Sequence, residues 1–391
     1  MRPGDWSSDV CSSDLLISEI MNRITRFTMI MASAAMVMGC ADRNRERVPA
    51  INLSDLDTTC SPAVDFYQYA TGGWQKNNPL KPEYARFGSF DILNENTENR
   101  LNELFKEMTE MKTAKGTVEQ KISDIYKMGL DSARLNAEGF APVQKYLDQV
   151  YAVNDKASLV KLVADMHNEG LSPFFGAFVM ADLMNSDMQI LYLTQSGLGI
   201  GDRDYYLDPA SAEIKQGYLN FLTRVFGLAG VPEPEKAAAN ALDVETQIAT
   251  ASWTRVQERD MEKIYNPTNT PALEKAYDGF DFTSYFAARN IADQDKLVVC
   301  EPSFFEAFSK YFAEADINVL KDYLAGQLIQ DACGAVSDDF YNASFDFFSK
   351  QMTGVTQQKP RWKRAMRVPN SILGEAVGKM YVAKYFPESS K

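Results

Sequence analysis

A single imidazole, His167, is available to this chain of 391 residues, and that scarcity removes most hydrolytic chemistries. A zinc-binding H-E-x-x-H helix needs two histidines one turn apart, because both rings must reach one metal from one helix face. A serine triad needs its histidine beside an activated nucleophile, and no G-x-S-x-G turn occurs in the sequence. The aspartic-protease D-[ST]-G is absent as well. His167 lies in Val163-Ala164-Asp165-Met166-His167, at the predicted C-terminal end of a helix, where the helix dipole favours it. Gly197-Leu198-Gly199-Ile200-Gly201 fits neither the dinucleotide nor the P-loop spacing and reads as a turn. One place keeps chemical interest: Arg86-Phe87-Gly88-Ser89-Phe90-Asp91. An arginine and an aspartate five apart, around aromatics and a glycine, suit either a structural ion pair or a clamp for an anionic ligand.

The elements that must position these residues are mostly helical. Leu101, Leu104, Phe105, Met108 and Met111 recur at helical spacing and form one apolar stripe. Gly116 ends that element, and Thr117 with Gln120 predicts a capping box for the next. Further helices are expected near 141–152, 156–168, 209–227, 234–258, 303–314, 316–329, 336–352 and 369–385. Pro232 and Pro234 mark the start of the fourth helix in that series, since proline is tolerated in a first turn. Phe174 to Met180 and Gln189 to Thr194 are aromatic and β-branched around Asn185-Ser186-Asp187, which predicts a hairpin. Phe66 to Trp74 reads as a short helix that ends at Gly72-Gly73. The fold class is therefore mainly α with a small β element.

Composition narrows the function classes. Apolar content of 45% and charged content of 24% are those of an ordinary globular protein. A net charge of −13 repels phosphate backbones and argues against nucleic acid as a partner. Residues 1–20 are Ser/Asp-rich, and Ser7 to Leu15 resembles translated adapter sequence, so a non-native extension is expected there. From Met21 the pattern changes: Arg23 and Arg26, an apolar run from Phe27 to Met38, then Gly39-Cys40. Residues 21–39 are too short an apolar stretch for a membrane span and read as a lipoprotein signal peptide, with Cys40 the lipidation site. Residues 40–57 then serve as lipidated cysteine and linker, placing the protein at a bacterial membrane in the cell envelope. Cys60, Cys300 and Cys333 show no metal or disulfide spacing and are expected as buried free thiols.

Four segments, in order, resemble the neprilysin and endothelin-converting-enzyme family of zinc metallopeptidases. They are Asp65 to Trp74 with Arg86 to Leu93, then Leu193 to Tyr206 containing Asp202-Arg203-Asp204-Tyr205-Tyr206. Trp253 with Glu258 to Asn266 follows, and Arg361-Trp362 through Leu373-Gly374-Glu375 to Pro387 completes the series. The resemblance implies a two-lobed, mostly helical peptidase, with residues 58–391 as the N-terminal cap that sieves oligopeptide substrates. It implies zinc as the family's cofactor, with the ligands in a catalytic domain beyond Lys391, so that this chain alone is expected to carry no catalytic or metal-binding residue. It also implies a role for Arg86 in holding the C-terminal carboxylate of a substrate, with Asp91 beside it. Arg203, Asp204, Arg259, Asp260 and Lys263 read instead as structural charge networks. The family's animal cysteines are Ala63 and Thr71 here, so those disulfides are not expected. The alternative function is a non-catalytic lipoprotein that binds peptides or a protein partner.

Overall fold

The computed structural model describes residues 50–111 and 113–390. The expected extension at 1–20, the signal peptide at 21–39 and the lipidation site Cys40 lie outside the described residues. The chain divides into a smaller N-terminal unit that ends at Pro79 and a larger unit that begins at Leu80.

In the smaller unit, helix α1 (Phe66–Asn77) follows a single turn at Leu53–Asp55. The Asp65 side chain accepts the Gln68 N–H and caps the helix. The expected break at Gly72-Gly73 does not occur; the helix runs through both glycines. Close packing explains them. A Cβ on Gly73 would sit 2.3 Å from the Ser54 carbonyl oxygen, and one on Gly72 would sit 2.8 Å from Asp57 Cβ. The pair lets the helix lie directly on the preceding turn, and Gln68 Nε2 donates to Asp57 at 2.8 Å to hold it there.

The larger unit opens with α2 (Ser89–Glu110), α3 (Val118–Leu130), α4 (Ser132–Glu138), α5 (Ala141–Ala152) and α6 (Lys156–Asn168). Strands β1 (Phe175–Asp182) and β2 (Asn185–Gln195) follow, then α7 (Asp204–Leu207), α8 (Ala212–Leu228) and α9 (Pro234–Ala251). Next come β3 (Pro267–Thr268), α10 (Thr270–Ala276), α11 (Phe282–Ala288) and β4 (Leu297–Val299). The unit closes with α12 (Pro302–Glu314), α13 (Ile317–Ala332), α14 (Asp338–Ser344), α15 (Arg361–Ile372) and α16 (Gly374–Tyr385).

The predicted hairpin forms, with Phe175 opposite Gln195 and Met180 opposite Ile190 in an antiparallel pair. It extends into a four-stranded sheet of order β1-β2-β4-β3, in which β4 runs parallel to β2. Strands of two and three residues carry no periodic signal, so β3 and β4 could not be read from sequence. The expected 336–352 helix is α14 followed by a π-helical stretch at Phe345–Gln351. The expected 369–385 helix is the end of α15 and all of α16, broken at Leu373, whose N–H closes on the Pro369 carbonyl.

Among the described residues the apolar side chains gather in two larger cores and a small cluster of Ile190, Tyr192, Val298 and Cys300 on the sheet. The first core joins α5, α6, α8, α9, α12 and α13 with the buried rings Phe174, Phe175, Phe280, Phe305 and Phe308. The second core holds α2 and α3 against α15 and α16 through Phe105, Ile122, Tyr126 and Ala365. A buried Phe or Ile side chain in these cores contributes about 1.5–3 kcal/mol by leaving water. Gly129 permits the crossing of α3 and α15, since a Cβ there would come within 2.9 Å of Ala365. The stripe on α2 is buried from Leu104 to Met108, with Leu101 half-buried, whereas Met111, just past the helix end, is exposed.

His167 sits in the last turn of α6, as expected, but for a different reason. It is buried, its Nε2 donates to the Pro173 carbonyl at 3.1 Å, and its Nδ1 accepts from the Tyr285 hydroxyl. Burial holds its pKa down to about 4, so the ring is neutral and the helix dipole has no charge to stabilise. Folding stability from this group is complete above about pH 6.5 and is lost as pH falls through about 4. His167→Phe should cost about 2 kcal/mol at pH 7 by orphaning Tyr285 and Pro173. It should also flatten that acid-side loss, as urea denaturation at pH 7 and pH 5 would reveal.

Candidate functional site

The Arg86 segment is held from both sides. The Pro82 carbonyl accepts the N–H groups of Thr356 and Gln357, both at 3.1 Å. Lys81 pairs with Glu95 at 2.7 Å and lies over the Phe87 ring. The Tyr84 hydroxyl donates to Glu95 at 3.0 Å, and the Tyr84 and Phe87 rings meet edge-on at 5.4 Å. Between these anchors Arg86 is exposed, and among the described residues it has no hydrogen-bond or ion-pair partner. Its guanidinium is therefore presented on a pinned loop without a competing carboxylate.

Asp91 does not neutralise it. The Asp91 carboxylate accepts the Gly88 N–H at 2.8 Å and closes the first turn of α2. That position satisfies one of the orphan donors of the helix and sits at the positive end of its dipole. Of the two alternatives for this motif, the structural ion pair is not formed among the described residues. What Asp91 does for Arg86 is indirect: it shapes the turn that carries the arginine.

Asp91, Glu95 and Glu98 recur one turn apart along α2 and carry its polar face towards α15. Glu98 pairs with Lys363 at 2.8 Å and lies 3.8 Å from Lys359. This pairing forms one edge of a cleft of about 1370 Å³. Its second wall is the end of α13 with Gln327, Gln330 and Asp331, and the turn Gly170-Leu171-Ser172 closes one side. Lys363, Arg364 and Arg367 of α15 project into it. Arg364 lies 3.6 Å from Asp338 and stacks over Tyr341 with its guanidinium carbon 4.2 Å from the ring centre. Asp338 is already bound by Arg361 at 2.9 Å, so two guanidinium groups share one carboxylate. Neither Arg86 nor Asp91 is among the residues lining this cleft. The four cleft cations were not singled out from sequence, yet Arg361-Trp362-Lys363-Arg364-Ala365-Met366-Arg367 is a dense basic run in an acidic chain, and that was the available signal.

Of the other charged residues, Arg203 joins a network, whereas Lys263 and Asp260 form a local surface pair at 2.8 Å. Arg203 Nη1 donates to the Ser252 carbonyl at the end of α9 at 2.6 Å, and Arg255 pairs with Asp202 at 2.5 Å. Gln195 joins them by donating to Glu258 and accepting from the Trp253 N–H, both at 2.6 Å. Gly197 to Gly201 is indeed a turn. A Cβ on Gly199 would fall 1.8 Å from the Tyr218 hydroxyl, and Gly197 has φ of +90°, so tyrosine hydroxyls approach the backbone where only glycine fits.

Among the described residues no three His, Cys, Asp or Glu side chains gather where they could hold a metal ion. Both nitrogens of His167 are engaged in the core, and burial pushes the thiols of Cys300 and Cys333 up to about 12, which keeps them protonated. Cys300 and Cys333 are free and buried as expected, whereas Cys60 is free and only half-buried.

The sequence model of the N-terminal domain of peptidase family M13 matches residues 62–391. The chain belongs to peptidase family M13. It is 27% identical to human endothelin-converting enzyme 1 over 355 residues, which is 87% of this chain and 46% of that enzyme. Mouse neprilysin is 24% identical over 422 residues, covering 99% of this chain and 55% of neprilysin. The crystal structure of the zinc metalloprotease Zmp1 of Mycobacterium tuberculosis in complex with an inhibitor superposes with a TM-score of 0.82 at 27% identity. That match covers 87% of this chain and 52% of Zmp1. The M13 chain described here thus spans about half the length of the curated relatives it matches, and it corresponds to their N-terminal half. The mainly helical fold with one small sheet is that of the M13 N-terminal domain.

Proposed function

We propose that this chain is the peptide-holding part of a zinc-dependent metalloendopeptidase that cuts oligopeptides in the bacterial cell envelope. The observation that carries the reading is Arg86, an uncommitted guanidinium on a loop pinned at Pro82 and Tyr84. A planar guanidinium forms two parallel hydrogen bonds with a carboxylate, so a free peptide C-terminus is the ligand it suits best. Asp91 supports the turn that presents it.

In this reading the zinc ligands and general base belong to residues outside the chain. The bundle of α2, α3, α15 and α16 supports further chain packed on it, because Phe90, Leu93, Ile372 and Phe386 are all exposed on its elements. Cys40 carries the lipid that holds the protein at the membrane. The coding sequence after the Lys391 codon tests the proposal. An H-E-x-x-H codon run is expected within a stretch comparable in length to this chain. Its absence from all three frames would contradict the proposal.

A further inference from the structure

We propose that the cleft between α13 and α15 selects peptides with acidic side chains, a preference separate from recognition of the chain terminus by Arg86. The inference rests on the peptide-holding reading above and assigns that function a substrate class. Four cationic side chains, Lys359, Lys363, Arg364 and Arg367, and two carboxylates, Glu98 and Asp331, line a volume of about 1370 Å³. The cleft therefore carries a formal charge of 4 − 2 = +2 in a chain whose net charge is −13.

The excess is not absorbed locally. Glu98 is divided between Lys363 and Lys359, and Asp338 between Arg361 and Arg364. The buried Arg364 Nε has no hydrogen-bond partner. Arg367 is exposed and has no ion-pair partner among the described residues. A concave surface with unsatisfied cationic donors and low-dielectric walls concentrates field lines and attracts anions. A cleft of this volume accommodates a few peptide residues, and Gln327, Gln330 and Ser371 add neutral polar groups along it. Acidic peptides suit it better than nucleic acid, because the surrounding negative charge repels a continuous phosphate backbone.

The test uses the full chain and two fluorescein-labelled nonapeptides of one neutral sequence, carrying three Glu in one and three Gln in the other. Both are C-terminally amidated, so that the carboxylate site at Arg86 is not engaged. Fluorescence anisotropy at low salt is expected to give about tenfold tighter binding of the Glu peptide, an advantage that shrinks at about 0.5 M salt as charges are screened. The double variant K359Q/R367Q removes the formal excess and should bring the Glu peptide to the affinity of the Gln peptide. Both side chains are exposed, and an unchanged melting temperature would show that the fold is kept. Should that variant not fold, the single variants K359Q and R367Q are each expected to lose part of the Glu preference, and a preference unchanged in both would overturn the assignment. Equal binding of the two peptides would overturn charge selection and leave the peptide-holding reading intact. A Glu preference that survives K359Q/R367Q would overturn the assignment to this cleft. Binding of neither peptide would overturn charge selection by this cleft, whereas the reading at Arg86 falls only if a peptide with a free C-terminus also fails to bind.

Discussion

Glu245→Ala is expected to lower the unfolding free energy by on the order of 4 kcal/mol, because it strips the shared partner from several buried donors at once. Glu245 lies in α9 and is buried. Its Oε2 accepts from the Tyr206 hydroxyl and from the Gly199 N–H at 3.1 Å. Its Oε1 meets the Tyr218 hydroxyl at 2.9 Å and Gln327 Nε2 at 3.1 Å. The Tyr218 hydroxyl also meets Gln330 Oε1 at 2.9 Å, and Gln330 Nε2 is committed to the Gly199 carbonyl. One hydroxyl proton cannot serve two acceptors, so the count closes only if Glu245 is a neutral acid that donates from Oε1 to Tyr218. The cluster ties α8, α9 and α13 to the glycine turn after β2, and the alanine variant would loosen all four.

The protonation state gives this prediction a pH signature. Burial raises the Glu245 pKa to about 7, and the same cause raises Glu301, which accepts from Thr194 and Gln195, to about 7. The folded state then holds protons that the unfolded chain releases near pH 4.5. This stabilisation is complete below about pH 4.5 and is lost as pH rises through about 7. Glu245→Gln keeps the volume and should cost only about 1 kcal/mol at pH 6. It should also remove roughly half of the decline between about pH 4.5 and 7, with Glu301 supplying the rest. Urea unfolding at several pH values measures both effects, and an alanine variant as stable as the glutamine variant would contradict the hydrogen-bond account.

The long helices, the hairpin and the family were legible because each rests on a local or ordered pattern. The capping box at the start of α3 is a case in point: Thr117 Oγ1 accepts the Gln120 N–H, although Gln120 Oε1 reaches back to Gly116 rather than to Thr117. What escaped was set by contacts distant in sequence. Gly72-Gly73 reads locally as a helix stop, and only the turn at Ser54 reveals it as a packing surface. The division of the last helical region at Leu373 escaped too, since the helix runs through Pro369, a local helix breaker, and ends only at Ile372. Glu245 did leave a trace, since Ala238, Ala241, Glu245 and Ile248 share one helix face and place a carboxylate on an apolar stripe. The cleft cations left another, as a basic run in α15. Arg86 was visible as a candidate, but its freedom from Asp91 was not, because the choice between a cap and an ion pair depends on backbone geometry that spacing alone does not specify.

The central claim is that this M13 half-chain holds peptides through Arg86. Arg86 is exposed in the free chain, and once a bound peptide shields it from water its pairing with a carboxylate is worth about 1.5–3 kcal/mol, or roughly ten- to a hundredfold in affinity. Calorimetric titration of the full chain with one uncharged-side-chain peptide, prepared with a free and with an amidated C-terminus, isolates that contribution. The account predicts at least about tenfold tighter binding of the free acid, and loss of the difference in Arg86→Ala with the amide unaffected. Equal affinities for the two peptides, unchanged by Arg86→Ala, would contradict it.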